Sequence, residues 1–276
     1  MKPDYARTYE QLAQKDEEQV SSLFHDRSKL GQTSARGFVA QVVQQSAIAE
    51  QEHRVATSLC FPHKRQLALP SVSRWNRGGR LRDALKKRRT RRQFSATKSI
   101  SSQHWSELLK YGCGVSEAET EQRPQALRTW PSAGALYPIE VFPVVLRPAE
   151  MSAAIYHYHA ATHCLEVLEE LEDPQTIRDL IVCDFDLSQL ESIVFLTANI
   201  KLATQKYGER GYRFALLEAG HVAQNVLLMC ADLNFAAVPL GGFLDNEVAT
   251  RLDLPKNHSP VYAIGIAVQE TGGQER

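Results

Sequence analysis

Residues Lys206–Asn225 read KYGERGYRFALLEAGHVAQN, and this stretch decides the fold. From Tyr212 to about Leu233 there is no proline, and Phe214, Leu216, Leu217, Val222, Val226, Leu227, Leu228 and Met229 occupy almost the whole helical wheel. A helix apolar all round is predicted to be buried. Its polar residues Glu218, His221 and Asn225 fall three and four apart and make one narrow stripe. Ala215, Ala219 and Ala223 make a second stripe. Small residues at that spacing let another helix come close, in a dense core or in a dimer seam where the helix meets its own copy. Ahead of the helix, Lys206, Tyr207, Glu209, Arg210, Tyr212 and Arg213 crowd around Gly208 and Gly211, which predicts an irregular charged loop.

Around this centre, 276 residues with 43% hydrophobic content can bury a full core, as one large domain or one domain with an added segment. The 32 basic residues balance 32 acidic ones, so net charge points to no class of partner. The apolar runs are short for a membrane span, and the opening MKPDYARTY lacks the apolar region of a signal peptide. Those features predict a cytoplasmic protein. Cys60, Cys113, Cys164, Cys183 and Cys230 include no C-x-x-C pair, and free thiols are expected.

Upstream, residues 1–79 read as an accessory region, helical around Tyr9 to Phe24 and Gly37 to Ala49, followed by a connector from Pro62 to Pro70. Residues 80–270 form the main domain. Between Arg74 and Arg92 ten basic residues meet one acid, Asp83. Aromatic interleaving of the kind a nucleic-acid surface uses is missing there. Leu81, Ala84 and Leu85 suggest a short helix leading to RRTRRQF. There Arg88, Arg89, Thr90 and Arg92 offer guanidinium forks and a hydroxyl to one phosphate. A helix near Gln103 to Tyr111 takes Ser101 or Ser102 as its cap. In WPSAGALYPIEVFPVVL, Ser132 to Ala135 have almost no side chain, so their amides can approach a flat ligand before a strand from Ile139 to Leu146.

IYHYHAATHCLEVL alternates as a hairpin, with His157 and His159 on one face. His163 and Cys164 are near, yet no acidic or cysteine partner stands at ligand spacing, so surface histidines on paired strands are expected rather than a metal site. Nine acids against Arg178 between Glu166 and Glu191 read as solvated surface. Ile193 to Ala198 is a short buried strand. After the central helix, Asn234 suits a left-handed stop. FAAVPLGGF is a strand entering a double glycine whose amides can donate to a ligand. Pro260 to Val268 is the last strand, and the tail TGGQER is expected to fray. No G-x-G-x-x-G, P-loop or H-E-x-x-H occurs, which removes dinucleotide-fold, nucleoside-triphosphatase and zinc-protease chemistry.

RRTRRQF, WPSAGALYPIEVF, KYGERGYRFALLEAGHVAQN and VPLGGF, in this order, resemble the SagB/McbC-type azoline dehydrogenases of the nitroreductase superfamily over about Leu81 to Val268. FHDRSKL near Phe24 resembles their N-terminal segment more loosely. The resemblance implies an α+β, FMN-dependent nitroreductase-like fold. Its central, mainly antiparallel sheet is flanked by helices, and a long buried helix lies at the homodimer interface. Each of the two FMN sites is built from both chains. It implies that Arg88, Arg89, Thr90 and Arg92 hold the FMN phosphate. Pro131, Ser132, Ala133 and Gly134 reach the flavin from the other subunit, Leu240, Gly241 and Gly242 lie beside its N5, and Lys206 and Tyr207 are the catalytic pair. One departure is that Arg276 is the only basic residue after Pro260, so the arginine turn carries more of the phosphate site than in ordinary nitroreductases.

The implied activity is conversion of azoline rings in a modified peptide to thiazoles or oxazoles during the biosynthesis of ribosomal peptide or related natural products. The implied partners are a precursor peptide and a cyclodehydratase, with neither nucleic acid nor membrane. Removing two hydrogens from the ring needs a base and a hydride acceptor. Lysine and tyrosine ordinarily titrate near 10, and the neighbouring Arg210 and Arg213 are expected to lower both. Two rivals share the motifs: a generic FMN-dependent nitro or quinone reductase using NAD(P)H, and a non-catalytic scaffold subunit of a peptide-modifying complex.

Overall fold

A seven-stranded sheet in the order β1-β6-β5-β4-β7-β9-β8, with every neighbouring pair antiparallel, forms the middle of the molecule. The computed structural model describes Phe24, Ser28 and residues 32–51, 58–72, 81–121, 123 and 125–270. The helix expected over Tyr9 to Phe24, apart from Phe24 itself, and the tail from Thr271 lie outside these residues. The fold is α+β, with helices on both faces of the sheet, as expected.

The strands are β1 (Arg65–Ala68), β2 (Val115–Glu117), β3 (Leu127–Arg128), β4 (Ile139–Val145), β5 (Ala154–His159), β6 (Cys164–Glu170), β7 (Ser192–Asn199), β8 (Phe235–Leu240) and β9 (His258–Val268). The helices are α1 (Gln32–Gln51), α2 (Leu81–Lys87), α3 (Ser102–Cys113), α4 (Gln175–Arg178), α5 (Ile200–Tyr207), α6 (Arg210–Asp232) and α7 (Asp245–Arg251). β2 and β3 pair separately. Every residue of β4 is buried, because each face of the sheet carries its own core. Trp105, Leu108, Ala219, Val222 and Val226 of α3 and α6 cover one face. Phe142, Phe195, Ile177 and Leu252 fill the other. Pro143 lacks an N–H, and the β4–β5 ladder extends only over Val144 and Val145 beyond it. β1 lies inside the stretch expected as a connector and adds an edge strand to the sheet through β6.

Several local readings hold. Ser101 caps α3, its hydroxyl accepting from the His104 amide. Asn234 takes φ 58° after α6. Others are corrected. His157 is fully buried instead of lying on the surface. Its Nδ1 is 2.7 Å from Glu166 Oε2 and its Nε2 is 3.1 Å from Glu140 Oε2. The two carboxylates also accept from the amides of Leu59 and Phe61, tying residues 58–61 to the sheet. Burial alone would lower the His157 pKa, but the two glutamates outweigh it and raise it. The acidic stretch is likewise not all solvated, because Glu166 and Glu191 are 1% and 2% exposed. Among the described residues no group of three or more His, Cys, Asp or Glu side chains is placed to hold a metal. All five cysteines are free.

The central helix is also not buried all round. Ala215, Ala219 and Ala223 face the chain's own core, whereas Leu216 and Leu217 are 40% and 56% exposed. His221 and Gln224 are exposed on the same side. By length and composition α6 is apolar enough to cross a membrane, but here its buried face packs on α3 and the sheet.

Candidate active site

Lys206 and Tyr207 do not sit in a loop. They form the last turn of α5, which starts with Asn199 accepting from the Leu202 amide. Gly208, at φ 57°, breaks the chain there, and α6 begins two residues later. Gly211 is inside α6, where a Cβ would stand 2.3 Å from the Ala203 carbonyl. The glycine therefore allows α5 and α6 to touch.

The turn from Pro131 to Tyr137 lies against the Lys206–Tyr207 pair. Gly134 has φ 61°, and a Cβ built on it would stand 2.4 Å from the Tyr207 hydroxyl and 2.8 Å from Lys206 Nζ. Ala135 and Tyr137 also adopt positive φ, 52° and 48°. Left-handed residues other than glycine, such as Ala135 and Tyr137, persist only where surrounding contacts impose them, and such strain collects at functional sites. Those contacts come from the polar stripe of α6. Trp130 Nε1 donates to Glu218 Oε1 at 2.8 Å, and Ser132 Oγ donates to Glu218 Oε2 at 2.6 Å. Ser132 Oγ in turn accepts from the Tyr137 amide, and Asn225 donates to the Thr129 carbonyl. The polar stripe thus works within one chain for Glu218 and Asn225, while His221 is exposed.

Burial pushes the Glu218 carboxyl up to about 7, against the opposing effects of Ser132, Trp130 and Arg128. Burial also raises the Tyr207 phenol, so the expected lowering is overturned there. The arginines proposed to lower it are directed elsewhere. Arg210 donates to the Ser28 carbonyl at 2.7 Å, Arg213 bonds the Ser28 hydroxyl, and Arg210 lies 5.8 Å from the Phe214 ring centre. The phenol ring is instead packed by Phe214 at 5.1 Å and Phe38 at 6.3 Å. Phe38, Val39, Val42 and Val43 of α1 wall an open apolar cavity of about 350 Å³ beside Tyr207 and Ala133. No spacing in the sequence connects α1 with Tyr207.

The arginine turn is at the other end of α6. The Arg91 amide donates to the Ala237 carbonyl, which pins the turn to β8. The extended chain sends alternate side chains to opposite sides. Arg89 joins Lys87 and Arg91 in lining a cavity of about 200 Å³ with Cys230 and Asn234, while Arg92 lies over the Phe185 ring at 5.2 Å. Arg88 is half-buried, and Thr90 is exposed. Within the chain Arg89 and Arg92 therefore have different neighbours. The double glycine divides as well. A Cβ at Gly242 would stand 2.5 Å from the Val182 carbonyl, whereas Gly241, just past Leu240, faces open space.

Comparison with known proteins agrees with this architecture. The nitroreductase family model matches residues 85–268. A Methanocaldococcus jannaschii protein named as a nitroreductase, MJ1384, is 31% identical over 169 residues, covering 61% of this chain and 82% of that protein. The microcin B17-processing protein McbC of Escherichia coli is 31% identical over 132 residues, 46% of this chain and 48% of McbC. Two solved structures share the fold at 20% identity. One, named as a nitroreductase of Anabaena variabilis, has a TM-score of 0.67 over 91% of this chain and 46% of its own. The other is a chain of the E. coli microcin synthetase McbBCD complex with truncated pro-MccB17 bound, at 0.57 over 88% and 99%.

Proposed function

The chain belongs to the nitroreductase family, and we propose that it is an FMN-dependent dehydrogenase of the SagB/McbC type, converting azoline rings in a modified peptide to thiazoles or oxazoles. The observation that carries this reading is the packing of Lys206 Nζ and the Tyr207 hydroxyl against the Gly134 turn. A flavin reductase has no need of an amine and a phenol held at such a turn. The similarity to McbC, and to a complex whose structure holds a truncated peptide, supports a peptide substrate and a cyclodehydratase partner.

The residues present suit FMN. Arg88, Arg89, Thr90 and Arg92 supply cationic forks and a hydroxyl for its phosphate. Leu240, Gly241 and Gly242 follow along β8, where Gly241 leaves room for a ring. Four strand residues, about 13 Å at ~3.3 Å each, separate Ala237 beside the turn from Gly241. Pro131, Ser132, Ala133 and Gly134 present small side chains and backbone to a flat group. These two sets do not meet in one chain. From Phe214, beside Tyr207, to Ala231, beside Arg89, the helix rises about 25 Å at ~1.5 Å per residue. That exceeds the reach of a mononucleotide, so a site using both ends is shared by two copies, as in a homodimer. The exposed Leu216, Leu217, His221 and Gln224 face of α6 lies between the ends and is the proposed seam.

Bound FMN supplies the hydride acceptor. The chain's own task is the proton. Burial keeps Tyr207 protonated, so its hydroxyl donates and orients the ring, and Lys206 Nζ takes the proton leaving the ring carbon. Phe38 of α1 stacks on one side of the Tyr207 ring. The test gives the FMN-loaded protein an azoline peptide and follows its mass. Loss of two hydrogens per ring, absent in Lys206→Ala, is the expected result. Turnover of NAD(P)H with a nitroaromatic and no change in the azoline would establish the second reading, a nitro or quinone reductase, which the likeness to MJ1384 favours. A protein that takes up no FMN would establish the scaffold reading.

A further inference from the structure

The functional reading leaves Glu218 without a role, yet it is a buried carboxylate with both oxygens engaged on one loop. One oxygen accepts from Trp130 at 2.8 Å and the other from Ser132 at 2.6 Å. Ser132 Oγ also receives the Tyr137 amide at 2.8 Å, so two residues of the loop bond one side chain of α6 directly and a third is tied to it through Ser132. The segment they hold includes Gly134, Ala135 and Tyr137, all left-handed. That conformation would relax toward ordinary φ without an external hold.

We propose that Glu218 is the positioning residue of the site: by fixing Trp130 and Ser132 it holds Gly134 where Lys206 Nζ and the Tyr207 hydroxyl rest against it. This rests on the function proposed above, because positioning matters only if the pair acts. Glu218 and Tyr207 line one crevice with Ala133, Leu136, Ala203 and Ala215. The Glu218 oxygens are also already committed to Trp130 and Ser132. The carboxylate acts through the turn. A displacement of about 1 Å in such a support costs up to about 10²-fold in rate.

The test uses the full FMN-loaded chain with ¹³C-labelled tyrosine rings, the Tyr207 signal being assigned by its loss in Tyr207→Phe. Glu218→Ala and Ser132→Ala are expected to move the Tyr207 signal and to lower kcat on an azoline peptide at least about tenfold, with KM within about twofold. Glu218→Gln is expected to restore both, to within about threefold in kcat, because its carbonyl accepts from Trp130 and its amide donates to Ser132 Oγ. If Glu218→Ala is poorly folded, Ser132→Ala carries the test, since it leaves the carboxylate on Trp130. A Tyr207 signal unmoved in both alanine variants, or a Gln variant as impaired as Ala, overturns the proposal. A wild-type chain that ignores azolines while the signal moves refutes the functional reading and leaves the positioning role standing.

Discussion

The two ends of α6 are built differently. At its N-terminal end the chain is rigid and preformed: three left-handed residues, a buried carboxylate and a packed phenol are set against each other. At its C-terminal end the arginines are mostly exposed and have different neighbours: Arg89 donates to the Lys86 and Arg88 carbonyls, Arg92 lies over Phe185, and the Arg91 amide bonds the Ala237 carbonyl. The first end has the character of a place where atoms must be held, the second of a place where charge must be presented. In the proposed function each is half of a site, and a rod of helix separates the halves of one chain. Self-association is therefore part of the proposed chemistry and not an addition to it.

The largest expected effects separate the ends by kind. Lys206→Ala should lower kcat for azoline dehydrogenation by about 10²–10⁴ with FMN still bound. Arg88→Ala or Arg92→Ala should weaken FMN binding by about 10–100-fold, the worth of one charge-assisted bond, and recover kcat when FMN is in excess. Fluorescence titration of FMN beside steady-state rates checks both. If Lys206→Ala sheds FMN, or Arg92→Ala keeps it and loses kcat, the division is wrong. Between the ends, Leu217→Glu places a charge on the exposed face. Sedimentation should show monomers that keep their circular dichroism and have lost activity.

Gly134→Ala tests the preformed end alone. The positive φ costs about 1 kcal/mol, and the new methyl meets Tyr207 and Lys206. Stability should fall by about 1–2 kcal/mol in urea, with kcat reduced about tenfold or more. A smallest effect concerns pH. The folded pKa of Glu218, about 7, is above its unfolded value of 4.5. Its contribution is therefore complete below pH 4.5 and is lost as pH rises through 7. Glu218→Gln removes that slope and should be more stable than wild type at pH 8 by about 1–2 kcal/mol. A steeper loss in the variant would contradict the burial argument.

Much of this fold was legible because its signals are local. The period of α6, the Ser101 cap and the alternation of β5 and β6 each lie within a few residues. What escaped depends on partners distant in the chain. His157 looked like a surface residue because its carboxylates stand on β4 and β6 and are brought in only by pairing. The role of Glu218 needed Trp130 and Ser132, more than 80 residues upstream. Arg210 and Arg213 adjoin Lys206 in sequence, and proximity suggested an electrostatic influence that their bonds to Ser28 do not support. The exposure of Leu216 and Leu217 was hidden because sequence periodicity alone does not distinguish a helix buried within one chain from a helix with a face left for another.

Mixing two inactive variants tests the shared site most directly. One carries Arg88→Ala and Arg92→Ala, the other Lys206→Ala and Tyr207→Phe, and the two are co-refolded or co-expressed before azoline turnover is measured. Random pairing makes half of the dimers mixed, and each mixed dimer rebuilds one intact site of two, so activity should return to about a quarter of wild type. A mixture as inactive as its components would mean that each site lies within one chain, and would contradict the account.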